Sequence, residues 1–313
     1  MNARKHASLS LVLLIILTGL FSIVPSCSGG GGGGSGSGGS PSFTELTSGS
    51  WSLPAAAGGV AAEAYKCKGI QAATDLYITG FRAVLPPGQF RMFVTTSDTA
   101  QTIGDFDCNA ATALFNTRLI YAAGMGTDDV LFPGGIGVHV KAGQYITLQL
   151  HVVNGQNSPL SGVSGVMVKT ASAAEVTTEA DMTLVGTFTI NLPSDGLVHT
   201  ALGGCAALED WNVFTLLPMM NGLATHQTLT VTHNGVPQTL HDADYALDQQ
   251  RFNPKTPPVA VLIGDQVAVT CSYVNNTGQT VNFGDTSTME QCFIGLYRYP
   301  APVQGSVFGC VTP

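Results

Sequence analysis

Tyr145-Ile146-Thr147-Leu148-Gln149-Leu150-His151 alternates without a break: Ile146, Leu148 and Leu150 share one face, and Tyr145, Thr147, Gln149 and His151 share the other. A period of two is the signature of a β-strand with one apolar side, and it places His151 on the polar side. The same alternation returns at residues 266–273, where Val267, Val269 and Cys271 fall together. It returns again at 291–297, where Cys292, Ile294 and Leu296 alternate with Gln291, Phe293 and Gly295. Long stretches of helical period do not occur. Asn234-Gly235 reads as a hairpin turn, since both residues tolerate a positive φ. Pro86-Pro87-Gly88 and Pro133-Gly134-Gly135 mark further turns. The expectation is an all-β fold.

The N-terminus reads as processing sequence. Arg4, Lys5 and His6 precede an uncharged, mostly apolar run over residues 9–24. That run is shorter than the roughly 20 residues a membrane-spanning helix needs, and it suits a secretory signal. Val24-Pro25-Ser26-Cys27 follows. It resembles the lipobox of bacterial lipoproteins, which implies a signal peptide over 1–27 and a lipid-anchored Cys27. Ser28, where an Asp would favour retention, implies the outer membrane, with the folded part facing the periplasm or cell surface. Residues 28–42 are almost wholly Gly and Ser, a flexible spacer with nothing to bury.

About 270 residues remain from Phe43 onward, enough for two ordinary domains. Twelve Lys and Arg against twenty Asp and Glu cannot form the dense basic surface of a nucleic-acid binder. With Cys27 set aside, six cysteines remain: Cys67, Cys108, Cys205, Cys271, Cys292 and Cys310. An even count in an exported chain, with no CxxC spacing, favours disulfides, and six cysteines allow fifteen pairings. Cys271 and Cys292 lie on the apolar faces of two late strands, as partners across a core would. Residues 171–181 lack strong alternation and divide the folded part, giving domains at 43–173 and 178–313, each the size of a β-sandwich or jelly roll.

An ordered series of segments is more specific. It runs from Tyr65-Lys66-Cys67 through Tyr77-Ile78-Thr79-Gly80-Phe81, Leu85-Pro86-Pro87-Gly88, Leu119-Ile120-Tyr121-Ala122-Ala123-Gly124 and Phe132-Pro133-Gly134-Gly135 to Leu148-Gln149-Leu150-His151. Later come Cys205, Val213-Phe214-Thr215-Leu216-Leu217-Pro218, Val269-Thr270-Cys271-Ser272-Tyr273 and Glu290-Gln291-Cys292-Phe293. In order and spacing, over roughly residues 62–300, the series resembles the copper type II, ascorbate-dependent monooxygenases, the peptidylglycine α-hydroxylating and dopamine β-hydroxylating enzymes with their bacterial relatives. The resemblance implies two packed antiparallel jelly-roll domains with one copper in each, one taking electrons from ascorbate and the other activating oxygen. It also implies the pairings Cys67 with Cys108, Cys271 with Cys292 and Cys205 with Cys310.

The copper ligands diverge from that pattern. His151 matches the third histidine of the electron-gathering site, but the family's adjacent pair falls near Phe90, Arg91 and Met92, and no histidine occurs between His6 and His139. The oxygen-activating Pro-His-Met-His is here Pro218-Met219-Met220-Asn221, and the family's methionine ligand is Gln291. Met289, two residues earlier on what reads as the same strand face, could supply a thioether. The candidate metal set is therefore His151, Met219, Asn221, Met289 and Gln291, with copper the implied ion, since thioethers are soft ligands. The other histidines, His139, His199, His226, His233 and His241, read as surface or strand-end residues; His241-Asp242-Ala243-Asp244 offers an oxygen-rich alternative. Three readings follow: a divergent binding or structural module that has lost its copper sites, an active ascorbate-dependent monooxygenase acting on a small or peptidic substrate, or an unrelated surface adhesin. The partners implied are a membrane, through the lipid, and a small molecule or peptide.

Overall fold

β-branched and aromatic residues at period two, punctuated by Gly and Pro, fold here almost entirely into strands. The computed structural model describes residues 42–113, 117–302, 307 and 309–312. The expected signal peptide, Cys27 and nearly all of the Gly/Ser spacer lie outside the described residues. Among the described residues there is no α-helix, only the short 3-10 turns Ala110–Ala113 and Leu247–Gln249, and no helix is long and apolar enough to cross a membrane.

The N-terminal part builds two facing sheets. One has the spatial order Thr44–Leu53, Leu160–Ala171, Leu76–Val84, Ile136–Val140, Thr178–Glu179, with Val130–Leu131 pairing Leu76–Val84. The other runs Gly104–Asp107, Ala62–Gln71, Tyr145–Asn154, Gln89–Ser97, Arg118–Gly124. The C-terminal part forms further sheets. Asn253–Val261, Trp211–Met220, Cys292–Tyr299, Asp181–Thr187 and Cys310–Thr312 form one sheet, and Val198–Ala206, Gln266–Val274, Ala224–His233 and Val236–Asp244 the other. Asn191–Leu192 and Val281–Asn282 form a separate two-stranded pair. The architecture is all-β with several, mostly antiparallel, sheets, consistent with a β-sandwich.

Strand pairing passes from the N-terminal sheets to the C-terminal ones between Glu179, whose strand runs beside Ile136–Val140, and Asp181. A buried charge cluster holds that crossing. Asp181 lies between Arg118 (3.7 Å) and Arg298 (3.4 Å), Arg298 also reaches Glu209 (2.8 Å), and Arg118 donates to the Ala180 carbonyl (2.9 Å). Burial raises the Asp181 carboxyl to about 6 against the pull of the two arginines.

The turns form where Gly and Asn allow. Asn234 and Gly235 both take positive φ in the hairpin, and Gly88 and Gly135 do so after their prolines. Gly186 and Gly203 let the two C-terminal sheets meet backbone to backbone: a Cβ on Gly203 would lie 2.1 Å from the Gly186 carbonyl oxygen. All six described cysteines pair, as Cys67–Cys108, Cys205–Cys310 and Cys271–Cys292.

Two strands depart from one-sided burial. In Trp211–Met220 and Cys292–Tyr299 both faces are covered. Phe214, Met219, Phe293 and Tyr297 join the core of the N-terminal sheets, whereas Val213, Leu216, Met220, Cys292, Ile294 and Leu296 fill the C-terminal one. Tyr297 spans the two parts, its hydroxyl donating to the Ile120 carbonyl (2.7 Å). A strand buried on both sides reads as a near-continuous apolar run, which is what these segments are.

The strand Tyr145–Asn154 corrects a simple expectation. Its apolar face, Ile146, Leu148 and Leu150, is buried as read, but Thr147, Gln149 and His151 are buried as well. The polar face does not meet water: Gln149 donates to the Asn109 (2.8 Å) and Ala110 (3.2 Å) carbonyls, and around His151 residues of the 284–291 loop bond to Tyr65 and Glu63 of the neighbouring strand.

Candidate functional site

The outer face of Ala62–Gln71, Tyr145–Asn154 and Gln89–Ser97 carries the polar residues that meet the C-terminal part. Register places Tyr65 and Arg91 on either side of His151, so one row across three strands presents a phenol, an imidazole and a guanidinium. Tyr65 stacks on the His151 ring at 4.4 Å, and Phe90 meets it edge-on at 4.9 Å.

His151 Nε2 forms a short hydrogen bond with the Glu63 carboxylate. Glu63 also accepts from the backbone N–H (2.8 Å) and hydroxyl (2.9 Å) of Ser287, across from the C-terminal part. Burial pushes the Glu63 carboxyl up, but the bonds from His151 and Ser287 outweigh it and hold the group below its ordinary value. Burial pulls His151 down, only partly offset by Glu63. The pair is therefore a neutral imidazole donating to an ionised carboxylate. Replacing Glu63 with Gln removes the charge that holds the imidazole proton, so the His151 pKa should fall further below its wild-type value. A pH titration of the His151 ring by NMR checks this, and an unchanged or higher pKa would show that the two groups are not coupled.

Arg91 is the central side chain. It is 4% exposed, and its guanidinium donates to the Met220 carbonyl (3.0 Å), to Asn221 Oδ1 (3.1 Å) and, through a short bond, to Gln291 Oε1. Asn221 in turn donates to the Met289 carbonyl (2.8 Å), and Gln291 to the Gly284 carbonyl (3.2 Å). The buried carboxyl of Glu290 accepts from the backbone N–H groups of Asn221 (3.0 Å) and Leu223 (2.6 Å). Loss of water drives the Glu290 carboxyl to about 7 despite those donors. Tyr65 completes the seam by donating to the Asp285 carbonyl (2.6 Å).

These groups surround a cavity of about 210 Å³. Arg91, His151, Gln149, Tyr65, Asp285 and Gln291 provide its polar wall; Met92, Phe93, Leu184, Phe188, Phe283 and Phe293 provide most of the rest.

The expected metal set is only partly assembled. His151 and Gln291 both line the cavity, and Asn221 lies one hydrogen bond away on Arg91. Met219 is packed in the core and does not line it. Met289 is not on the strand face the sequence suggested: the strand begins at Cys292, and Met289 sits in a turn, its N–H on the Thr286 carbonyl (3.1 Å) and its sulfur against Gly284. The chain bends there because Glu290 turns inward to the Asn221 and Leu223 backbone.

These donors do not fit copper. His151 is the one imidazole in the wall, its Nε2 is committed to Glu63, and the amide oxygens of Asn221 and Gln291 are held by a guanidinium. A fixed positive charge at that point repels a metal cation and takes the lone pairs it would need. Among the described residues no group of three or more His, Cys, Asp or Glu is placed to hold a metal ion. The remaining histidines lie elsewhere. His226 is paired with Asp242 (2.7 Å) and Asp244 (3.0 Å), His199 with Asp195 (2.8 Å), His233 with Asp265 (2.6 Å), and His139 with Glu179 (2.9 Å). His241 is buried, and burial lowers its pKa.

Arg91, Glu63, Tyr65 and Glu290 were not candidates from sequence. The available signal was Arg91 itself, a lone charge in the strand Gln89–Ser97, where a solvated residue would be expected only if that face met water.

No protein-family model matches the chain, and no curated protein matches it. Among solved structures, it matches that of the infectious bursal disease virus Gx strain at 11% identity, over 87% of this chain and 77% of that one, with a TM-score of 0.20. The structure of the Gt strain of the same virus matches over the same shares at 11% identity and a TM-score of 0.17. Likeness at that level bears on neither fold nor function.

Proposed function

We propose that this chain is an exported, lipid-tethered binding module that has the two-jelly-roll organisation of the ascorbate-dependent copper monooxygenases and has given up their copper chemistry. The observation that carries the reading is Arg91. It stands where the resemblance puts the electron-gathering histidine pair, and it is bonded to Asn221 and Gln291, which stand where the resemblance puts ligands of the oxygen-activating site. A single cation thus stands at one expected ligand position and is bonded to the residues at the other. Copper would have to displace a guanidinium holding three acceptors. What remains is a partly open, mainly apolar cavity with several aromatic walls and a few fixed polar groups, the usual form of a small-molecule site. Anchorage through Cys27, with the Gly/Ser spacer behind it, would hold this body outside the cytoplasm at a membrane surface.

Copper titration of the purified chain, with ascorbate-driven oxygen uptake as the second readout, tests the proposal. The expected result is no micromolar copper binding and no ascorbate-dependent uptake above a protein-free control. Copper bound at micromolar levels together with uptake that depends on His151 would overturn it in favour of a working monooxygenase.

A further inference from the structure

We propose that the cavity walled by Arg91 binds a small monocarboxylate whose body is one aromatic ring or a branched aliphatic group of similar size. The assignment rests on the reading of the chain as a binding module and names what it binds.

Size sets the body. A cavity of about 150 Å³ lined by Leu, Ile and Phe takes up benzene, so about 210 Å³ accommodates one ring with a short substituent. Phe93, Leu184, Phe188, Phe283 and Phe293 suit an apolar body, with edge and face contacts open to a ring.

Charge sets the head group. Arg298, the other arginine buried to a similar degree, is ion-paired to Asp181 and Glu209. Arg91 has only neutral partners, two amide oxygens and a backbone carbonyl, and its Nε has no hydrogen-bond partner. Among the described residues no carboxylate lies within ion-pair distance of it. Glu290, the carboxylate whose charge acts on Arg91, is turned onto the Asn221 and Leu223 N–H groups and makes no contact with the guanidinium. A buried cation with no carboxylate in direct contact is costly, and a bound anion would offset that cost. A carboxylate matches a guanidinium fork in shape. Asp285 lies exposed on the cavity wall and disfavours a second negative charge, so a monoanion is selected over a phosphate dianion.

Calorimetric titration of the purified full chain with phenylacetate, phenylacetamide, phenethylamine and phenyl phosphate decides the matter. Phenylacetate should bind about tenfold or more tightly than its neutral amide, the size expected of one charge-assisted hydrogen-bond pair. Phenethylamine and phenyl phosphate should bind more weakly still. Arg91→Met should erase the preference for the acid over the amide. Ala111→Trp, at an exposed position on the cavity wall, leaves Arg91 in place and should block both ligands, which keeps the test decisive if Arg91→Met does not fold. Equal binding of acid and amide, tighter binding of the amine, or no binding of phenylacetate at about 10 mM, some hundredfold above a serviceable affinity, would each overturn the assignment. With copper binding and oxygen uptake both absent, that failure would remove the carboxylate assignment alone; copper-dependent uptake would remove the parent reading whatever phenylacetate does.

Discussion

Replacing both Cys205 and Cys310 with Ala is expected to cost about 4–5 kcal/mol, the largest loss of any disulfide in this chain. The bridge closes a sequence separation of 105 residues, against 41 for Cys67–Cys108 and 21 for Cys271–Cys292. Chain entropy restored to the unfolded state grows with the logarithm of loop length, which gives about 4.8, 3.9 and 3.3 kcal/mol in that order. Packing works against the ranking, because Cys271 and Cys292 are fully buried and their loss leaves a void in the C-terminal core. Cys205–Cys310 keeps first place for a second reason. Cys310–Thr312 is a three-residue strand held in parallel on Asp181–Thr187, and the bridge ties it to Val198–Ala206 as well. Denaturant unfolding of the three paired variants checks the ranking, and hydrogen exchange at Val311 and Thr312 checks the local release. A loss below about 2 kcal/mol for the Cys205/Cys310 pair, or a smaller loss than for Cys67/Cys108, would show that loop closure does not govern these bridges.

The bridges also show what could be read from sequence. Cys271 and Cys292 sit on apolar faces that alternation identifies, so their partnership follows from strand geometry. The strand Gln266–Val274 buries Val267, Val269 and Cys271 as its period requires, and the Asn234-Gly235 hairpin follows from two residues that accept positive φ. These are local properties, and local sequence carries them. The two other pairings came only with the resemblance, because nothing in spacing singles them out of fifteen.

The site was less legible, for a physical reason. Alternation reports which face of a strand is apolar but not whether the polar face meets water or another part of the chain. Gln149 and His151 look like a solvated face in sequence and are 2% and 5% exposed. Their neighbours find partners far away: Arg91 reaches Gln291 over 200 residues and Glu63 reaches Ser287 over 224. Each such contact depends on how two sheet pairs meet, which no window of residues encodes. Met289 illustrates the opposite error. A period-two extrapolation from Gln291 carries it onto a strand, whereas the strand begins only at Cys292 and Glu290 turns to satisfy two backbone donors, taking Met289 out of the site with it.

Glu290 is also a place where pH should act on this fold. Between about pH 5 and about pH 8 the wild-type chain is expected to lose up to about 3 kcal/mol of stability relative to Glu290→Gln. In the unfolded chain this carboxyl titrates near its ordinary 4.5; in the fold, burial raises it to about 7 even though three backbone N–H groups and the charge of Arg91 favour the ionised form. Between those values the folded state holds a proton that the unfolded state has released. The contribution is therefore fully present below 4.5 and is lost as pH rises through 7. A difference of about 2.5 pKa units corresponds to about 3.4 kcal/mol, at 1.36 kcal/mol per unit. Glutamine keeps an acceptor oxygen but cannot ionise, so subtracting its pH profile removes the titrations common to both proteins. Thermal or denaturant unfolding of both at several pH values gives the difference directly, and a flat difference profile would place the ionisation elsewhere. Glu290→Leu separates charge from hydrogen bonding. It leaves the Asn221 and Leu223 N–H groups buried without an acceptor, and should cost about 2–6 kcal/mol against the wild type at about pH 5, at 1–3 kcal/mol for each orphaned donor. That cost shrinks by up to about 3 kcal/mol by about pH 8 as the wild type ionises. No loss in Glu290→Leu at about pH 5 would mean that those two donors find other partners and that burial of the charge alone sets the balance at this position.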